Sequence, residues 1–160
     1  MSDFTNSGER VEGAGGLRIF FRSLRPKQEP RAVVIIVPGF NAHSGYYAWV
    51  AEQLVATGLA VYAVDLRGRG NSDGERFYVN DFEDYVSDVA SVVAVAKSRE
   101  PGLPLFLLGH SAGGVVSCLY TLEQQGGIVR CCDAKTGKEH YRQRLPGADG
   151  FTASRRLLVT

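Results

Sequence analysis

Residues 105–114 read Leu-Phe-Leu-Leu-Gly-His-Ser-Ala-Gly-Gly, and this stretch decides the fold. Four apolar residues typical of a buried strand run into a G-x-S-x-G motif formed by Gly109, Ser111 and Gly113. The apolar spacing of residues 115–122 then predicts a helix. In a strand–turn–helix context the motif predicts a sharp turn with Ser111 at its tip. The flanking residues must be small, because the two arms of such a turn crowd one another.

A serine at the tip of such a turn is placed as a nucleophile would be. A hydroxyl alone is a poor nucleophile, so it needs a base, an acid that orients the base, and N–H donors for the oxyanion. We expect the first donor to be the backbone N–H of Ala112 and the second to be the N–H of Phe40, in the loop after an earlier strand. The alternatives are a glycine-rich turn with a chance serine at Ser111 and a plain strand-ending turn at Phe40.

The sequence N-terminal to this motif alternates strands with helices. Continuous apolar runs predict strands buried on both faces, and helical spacing of apolar residues predicts amphipathic helices. The predicted strands are residues 17–24, 32–37 and 59–64, and the predicted helices are residues 47–55, ending at Gly58, and 82–96, with Asp81 as N-cap. The alternation predicts an α/β fold, a mostly parallel sheet with helices on both faces.

Three segments carry a resemblance to a known family: residues 38–47 (Pro-Gly-Phe-Asn-Ala-His-Ser-Gly-Tyr-Tyr), residues 65–74 (Asp-Leu-Arg-Gly-Arg-Gly-Asn-Ser-Asp-Gly) and residues 109–114. Over about residues 15–125 the chain resembles the α/β-hydrolase superfamily, most closely its monoacylglycerol lipase and lysophospholipase-like, serine aminopeptidase-type branch. The family usually has His where Pro38 stands and Gly or another small residue where Asn41 stands.

The resemblance implies a serine hydrolase that cleaves carboxylic esters. Ser111 would be the nucleophile in its elbow, Phe40 and Ala112 would be the oxyanion donors, and residues 65–74 would form a structural loop. The substrate would be a small, lipid-like ester. The alternative function is that of a non-catalytic truncated hydrolase fragment or a binding module.

The remaining members of a catalytic triad are not recognisable. The family order is Ser, then an acid, then His, yet only 49 residues follow Ser111. The resemblance places His43 in the oxyanion loop and gives it no role as base, and His110 adjoins the serine. The only downstream histidine is His140, which is the candidate base; the downstream acids outside the family's motifs are Asp133 and Asp149.

We therefore expect the N-terminal part of an α/β-hydrolase fold, with the cap and the C-terminal strands missing. Residues 1–126 would form this partial domain, and residues 127–160 a divergent, poorly ordered tail with one strand at residues 128–132. Charge changes at this boundary: 11 Lys and Arg face 14 Asp and Glu before residue 127, against 7 and 3 after it. An exposed sheet edge would favour self-association.

Composition limits the remaining function classes. A net charge of +1 gives no sign of a nucleic-acid partner. No metal-ligand spacing is present, and the glycines at 68, 70 and 74 do not fit G-x-G-x-x-G, so no metal or cofactor is expected. No apolar run is long enough for a transmembrane segment, and no signal peptide is visible. Three cysteines without a pairing pattern favour a reducing, cytoplasmic setting.

Overall fold

The computed structural model describes residues 4–123, 128–132, 138–144 and 156–159. Its strands are β1 (Phe4–Glu12), β2 (Arg18–Pro26), β3 (Ala32–Val37), β4 (Leu59–Val64), β5 (Leu105–Gly109), β6 (Ile128–Cys132), β7 (Glu139–Arg144) and β8 (Arg156–Val159). Its helices are α1 (Ala48–Ala56), α2 (Phe82–Arg99) and α3 (Ala112–Glu123). Two short 3-10 turns span Ala14–Gly16 and Ser44–Tyr47.

The described strands form one mixed sheet in the order β1-β2-β4-β3-β5-β8-β6-β7. Strand β3 lies at the centre of its N-terminal part and pairs in parallel with β4 on one side and β5 on the other. The hairpin of β1 and β2 is antiparallel and joins β4 in antiparallel register. The parallel strands β3, β4 and β5 therefore end at one edge of the sheet, where the loops of the candidate site gather.

Apolar strands with helices on both sides account for the core. All six residues of β3 are buried, and burying a side chain such as Val or Ile fully stabilises a fold by about 1.5–3 kcal/mol. Helix α1 covers one face of the sheet, with Ala51 and Val55 in the smaller apolar cluster. Helices α2 and α3 cover the other face, where α2 contributes five buried apolar residues that follow helical spacing: Val86, Val89, Val92, Val93 and Ala96.

The sequence predictions for this core are confirmed. Strands β3 and β4 have the predicted limits, α2 begins after Asp81 as predicted, and helices lie on both faces. Strand β1 was not predicted, because its residues are mostly polar and exposed and carry no apolar run. Pairing along the whole length of β2 makes it a strand.

Beyond α3 the described residues add three strands. Strand β6 was predicted, whereas β7 and β8 were not, because their sequences lack a clear period. Strand β8 pairs with β5, so the edge of β5 that we expected to be open has a partner, and the outermost strands are β1 and β7. Of the expected tail, residues 127, 133–137, 145–155 and 160 lie outside the described residues, as do residues 124–126 before it, and the division at residue 126 stays a prediction.

Candidate active site

Ser111 lies at the bend between β5 and α3. Its side chain is exposed, and its φ of 54° is in the left-handed region, which a residue with a Cβ rarely adopts. Three backbone hydrogen bonds hold the bend: His110 N to Val37 O at 3.1 Å, Gly113 N to His110 O at 2.9 Å, and Gly114 N to Ser111 O at 2.8 Å. Such strain costs about 1–3 kcal/mol and persists where the surrounding structure stabilises it, often at functional sites.

The glycines of the motif are required by close backbone packing. A Cβ on Gly109 would lie 2.5 Å from the carbonyl oxygen of Gly113 and 2.6 Å from the Cα of Gly114. A Cβ on Gly113 would overlap the carbonyl oxygens of Val37 and Pro38. These neighbours are backbone atoms, which cannot rotate away. The small residues on both sides of Ser111 therefore allow the strand and the helix to approach closely enough to make the bend.

The loop after β3 lies directly beside Ser111. A Cβ on Gly39 would come within 3.3 Å of the Cβ of Ser111. The Ala42 N–H donates to the carbonyl oxygen of Gly39 at 3.0 Å, so residues 39–42 form a β-turn with Phe40 at its second position. Within the described part of the chain the N–H groups of Phe40 and Ala112 donate no hydrogen bond. Their assignment as oxyanion donors stays a prediction.

Tyr47 connects this loop to the nucleophile bend, a role that sequence reasoning missed. Its hydroxyl accepts from the Gly39 N–H at 3.4 Å and lies 3.0 Å from Nδ1 of His110. The sequence carried no separate signal for it, because Tyr47 fitted the apolar spacing of α1. The imidazole of His110, which directly precedes Ser111, is therefore hydrogen-bonded to the hydroxyl of Tyr47.

His43 supports the start of the 3-10 turn. Its Nδ1 accepts from the Gly45 N–H at 3.2 Å, and its ring lies 4.4 Å from that of Tyr46. This local contact suits a residue that shapes the oxyanion loop.

Residues 65–74 form a structural loop. Asp65 is fully buried, and its two carboxylate oxygens accept from the Ser44 N–H at 2.6 Å and the Asn71 N–H at 2.8 Å. Ser72 donates to the carbonyl oxygen of Asp65 and accepts from the Phe20 N–H at 2.7 Å. Because both carboxylate oxygens of Asp65 accept backbone hydrogen bonds, this side chain orders the loop of residues 65–74 and the 3-10 turn that begins at Ser44.

Arg67 fastens the same loop to α2. Its guanidinium makes two hydrogen bonds to the buried Asp88, at 2.7 and 2.8 Å, and an ion pair with Asp84 at 2.8 Å. The hydrogen bonds to Asp88 raise the pKa of Arg67, so the guanidinium stays charged. These contacts stabilise the loop at the end of β4 by tying it to α2.

Arg69 was likewise missed by sequence reasoning. It is only 4% exposed, and its Nε donates to the carbonyl oxygen of Phe40. Its guanidinium also lies over the rings of Phe40 and Phe77. The sequence offered no signal for this contact, because 29 residues separate Arg69 from Phe40.

The structure does not bring the backbone of His140 next to Ser111. The strand register places His140 at the same end of the sheet as Gly109, but β7 is three strands away from β5. With strands about 4.8 Å apart, that separation is roughly 14 Å. The side chain of His140, and the whole of Asp133 and Asp149, lie outside the described residues. The assignment of His140 as base stays a prediction.

Comparison with known proteins identifies the class and then the family. Solved structures with the same fold include a carboxyl esterase from Bacillus coagulans, with a TM-score of 0.69, 21% identity, and coverage of 75% of this chain and 41% of that one. A structure described as a lipase in its open form has a TM-score of 0.68, 21% identity, and coverage of 84% and 42%. The chain therefore has an α/β-hydrolase fold in part. Residues 28–145 match the serine aminopeptidase S33 family, and the chain belongs to that family.

Two of the curated proteins that this chain resembles are lipases by name. The monoacylglycerol lipase of Mycolicibacterium smegmatis is 38% identical over 126 residues, which are 79% of this chain and 45% of the relative. The monoglyceride lipase of Homo sapiens is 41% identical over 113 residues, 71% of this chain and 37% of the relative. The chain thus spans less than half the length of these relatives. Among the residues that the structure describes, no helix combines the length and apolar character needed to cross a membrane.

Proposed function

We propose that this chain carries the nucleophile and the oxyanion donors of a serine hydrolase that cleaves carboxylic esters. The observation that carries the proposal is the exposed Ser111, held at φ 54° between β5 and α3 and facing the Gly39 loop. Strain of this kind is characteristic of the strand-to-helix turn that exposes a nucleophilic hydroxyl. Membership of the serine aminopeptidase S33 family and the names of the relatives agree with it.

In the proposed reaction the Oγ of Ser111 attacks the acyl carbon, and a base takes its proton. The carbonyl oxygen becomes an oxyanion, which the N–H groups of Phe40 and Ala112 bind. The alcohol leaves with the proton from the base, and water then hydrolyses the acyl-serine by the same sequence of steps. Ala112 is well suited as a donor, because its N–H is one of the unsatisfied groups at the start of α3. His140 is the proposed base.

We propose a small, lipid-like ester as substrate. The names of the relatives support this choice. So do the exposed aromatic side chains of Phe40 and Phe77, both of which lie against the Arg69 guanidinium at the edge of the sheet where Ser111 is found. A reducing, cytoplasmic setting remains part of the proposal and agrees with the free thiol of Cys118.

The second candidate is a non-catalytic fragment or binding module. The observation that favours it is that two strands, β8 and β6, lie between β7, which contains His140, and β5, which leads to Ser111. In this case Ser111 would be correctly placed but not activated. A chain with an oxyanion hole but without a full triad can keep weak catalysis, which would be an outcome intermediate between the two candidates.

Labelling with a fluorophosphonate probe tests the proposal, because the probe reacts with activated serines. We expect the folded chain to be labelled, with the label lost in Ser111→Ala and kept in Ser98→Ala, which removes an exposed helical serine. Hydrolysis of p-nitrophenyl esters with short and long acyl chains then measures substrate preference. A folded chain without label overturns the proposal and leaves the non-catalytic candidate.

A further inference from the structure

The Arg69 side chain connects three parts of the molecule that meet near Ser111. Besides its bond to the carbonyl oxygen of Phe40, its Nη1 donates to the carbonyl oxygen of Gly68 at 3.1 Å and its Nη2 donates to the hydroxyl of Tyr85 at 3.4 Å. Tyr85 is 2% exposed and belongs to the core under α2. The guanidinium is therefore anchored on the rigid body of the fold and reaches out to the turn that carries Phe40.

Two aromatic rings enclose the same guanidinium. Its carbon lies 4.5 Å from the ring centre of Phe40 and 4.9 Å from that of Phe77, distances at which a cation and an aromatic face attract one another. Phe77 has a φ of 61°, the second non-glycine residue in the left-handed region among the described residues. A bulky residue rarely adopts this conformation without support. Here it places the ring of Phe77 over Arg69.

These contacts hold the turn that carries the Phe40 N–H. On one side of that peptide the Gly39 N–H donates to Tyr47; on the other the Phe40 carbonyl oxygen accepts from Arg69. Rotation of the peptide between Gly39 and Phe40 would require changes in the backbone angles of both residues. The carbonyl oxygen of that peptide, Gly39 O, accepts from the Ala42 N–H, so the β-turn bond itself opposes this rotation. The bond from Arg69 holds the next peptide of the turn through the Phe40 carbonyl oxygen, and the Phe40 ring adds a second contact with the guanidinium. Arg69 therefore fastens the turn as a whole to the body of the fold.

We propose that Arg69 is a positioning residue that holds the turn of residues 39–42 in place, so that the Phe40 N–H stays at the oxyanion site beside Ser111. The inference rests on the proposed function, in which that N–H is an oxyanion donor. Arg69 acts through the backbone of Phe40 and does not itself touch the substrate. Complete loss of one oxyanion donor slows catalysis by about 10²–10³-fold, so misdirecting this donor would slow acylation of Ser111 without weakening binding of the reagent.

The experiment compares Arg69→Met with the natural chain by two measurements. The first is the ¹H–¹⁵N amide resonance and hydrogen exchange of Phe40 and Ala42. The second is the limiting rate and half-saturation concentration of fluorophosphonate labelling of Ser111. For Arg69→Met we expect a shifted, faster-exchanging Phe40 amide and a limiting rate lower by about tenfold or more, with the half-saturation concentration unchanged. Arg69→Lys, which keeps a donor but not the stacked plane, should fall in between.

The matched control is Arg76→Met, because Arg76 belongs to the following stretch of loop and donates to Gly70 at 3.0 Å without touching Phe40. Both measurements should stay at their natural values in this variant. Phe77→Gly provides a second test that does not remove a buried charge: glycine accepts the φ of 61°, while loss of the ring should shift the Phe40 amide and lower the limiting rate in the same direction as Arg69→Met.

The outcomes separate this inference from the proposed function. An unmoved Phe40 amide and an unchanged labelling rate in Arg69→Met and Phe77→Gly overturn the role of Arg69 while the proposed function stands. A natural chain that is not labelled at all overturns the proposed function, and the amide measurements still decide whether Arg69 holds the turn. If Arg69→Met does not fold, Phe77→Gly and Arg69→Lys decide the inference.

Discussion

At the scale of single residues, the candidate site depends on backbone atoms that lie unusually close together. Ser111 can occupy its strained conformation because Gly109 and Gly113 leave room for carbonyl groups where other residues have a Cβ. Gly39 does the same for the loop that faces Ser111. The proposed reaction therefore requires glycine at these positions as well as the hydroxyl of Ser111.

Gly109→Ala tests this close packing. The added methyl would meet the backbone of Gly113 and Gly114, so we expect the free energy of unfolding to fall by about 1–3 kcal/mol and labelling of Ser111 to be lost. Chemical denaturation and the fluorophosphonate probe measure the two effects. Gly102→Asn is the control, since a Cβ there meets no atom within 4 Å and Asn tolerates its φ of 77°. Normal labelling of Gly109→Ala would contradict the prediction, because the bend would then accommodate the added methyl group.

At the scale of elements, α2 is the helix whose ends are best matched to the charges near them. The Asp81 side chain accepts from the Glu83 N–H, Glu83 and Asp84 lie in the first turn, and Lys97 and Arg99 lie in the last turn. Acidic groups near the start and basic groups near the end of a helix interact favourably with its dipole. On this helix Tyr85 accepts a hydrogen bond from Arg69, and Asp88 accepts one from Arg67. The position of α2 therefore affects the loop of residues 65–74 and, through Arg69, the loop of Phe40.

Removing the N-cap of α2 should lower stability without disturbing chemistry at Ser111. Asp81→Ala is expected to lower the free energy of unfolding by about 1 kcal/mol, because the Glu83 N–H loses its acceptor. Asp81→Asn keeps an acceptor at the same position and should remain close to the natural chain. Urea denaturation of the three proteins provides the comparison. Equal losses in both variants would mean that the charge of Asp81, and not its hydrogen bond, matters.

The β1–β2 hairpin is fastened to the last turn of α2 by an ion pair with a predictable pH response. Hydrogen bonds from Arg99 to Glu9, at 2.8 and 2.6 Å, lower the pKa of Glu9 to about 2 from its usual 4.5. A lowered carboxyl pKa adds stability at pH values above the unfolded pKa, and this stability is lost as the pH falls from 4.5 towards about 2. Both side chains are over a third exposed, so solvent screening limits the gain to less than about 1 kcal/mol.

Glu9→Gln should therefore be less stable than the natural chain at pH 7, and the difference should shrink near pH 2. Denaturation curves across this range measure the change. Glu12→Gln, on the same strand and without an ion pair among the described residues, serves as the control. A Glu9→Gln deficit that is constant with pH would contradict the ion-pair explanation.

At the scale of the whole molecule, large apolar side chains remain exposed on a helix that packs against the sheet. On α3, Val115 is 53% and Leu122 is 50% exposed, and they lie one heptad apart on one side of the helix. The outermost strands of the sheet are β1 and β7. Exposed apolar patches and open strand edges both favour association between copies of a chain.

We predict that the chain self-associates. Light scattering at concentrations on the order of tens of micromolar should give a mass above the 17.4 kDa of one chain. The double variant Val115→Lys and Leu122→Lys separates two routes: a return to the single-chain mass indicates the α3 face, and an unchanged larger mass indicates the strand edges. A natural chain that is monodisperse at 17.4 kDa would contradict the prediction.

Local sequence was sufficient to predict the centre of this fold. Strands β3 and β4 and the start of α2 follow from apolar runs, helical spacing and one capping aspartate, because neighbouring residues alone decide these patterns. The bend at Ser111 follows in the same way from a short motif between a strand and a helix. Strand β1 did not follow, since its polar residues become a strand only through pairing with β2.

By itself the sequence determined an α/β fold with Ser111 at a strand-to-helix bend, since apolar runs, helical spacing and a short glycine–serine motif are patterns among residues close together in the chain. Only the tertiary structure decided how the loop of Phe40 is held, because Tyr47, Arg69 and Phe77 reach it through space and each also fits an ordinary local pattern. The same holds for the partner of β5 and the position of His140, which depend on strand order. Contacts between residues far apart in the chain produce no periodic pattern in the sequence, so only the folded structure reveals them.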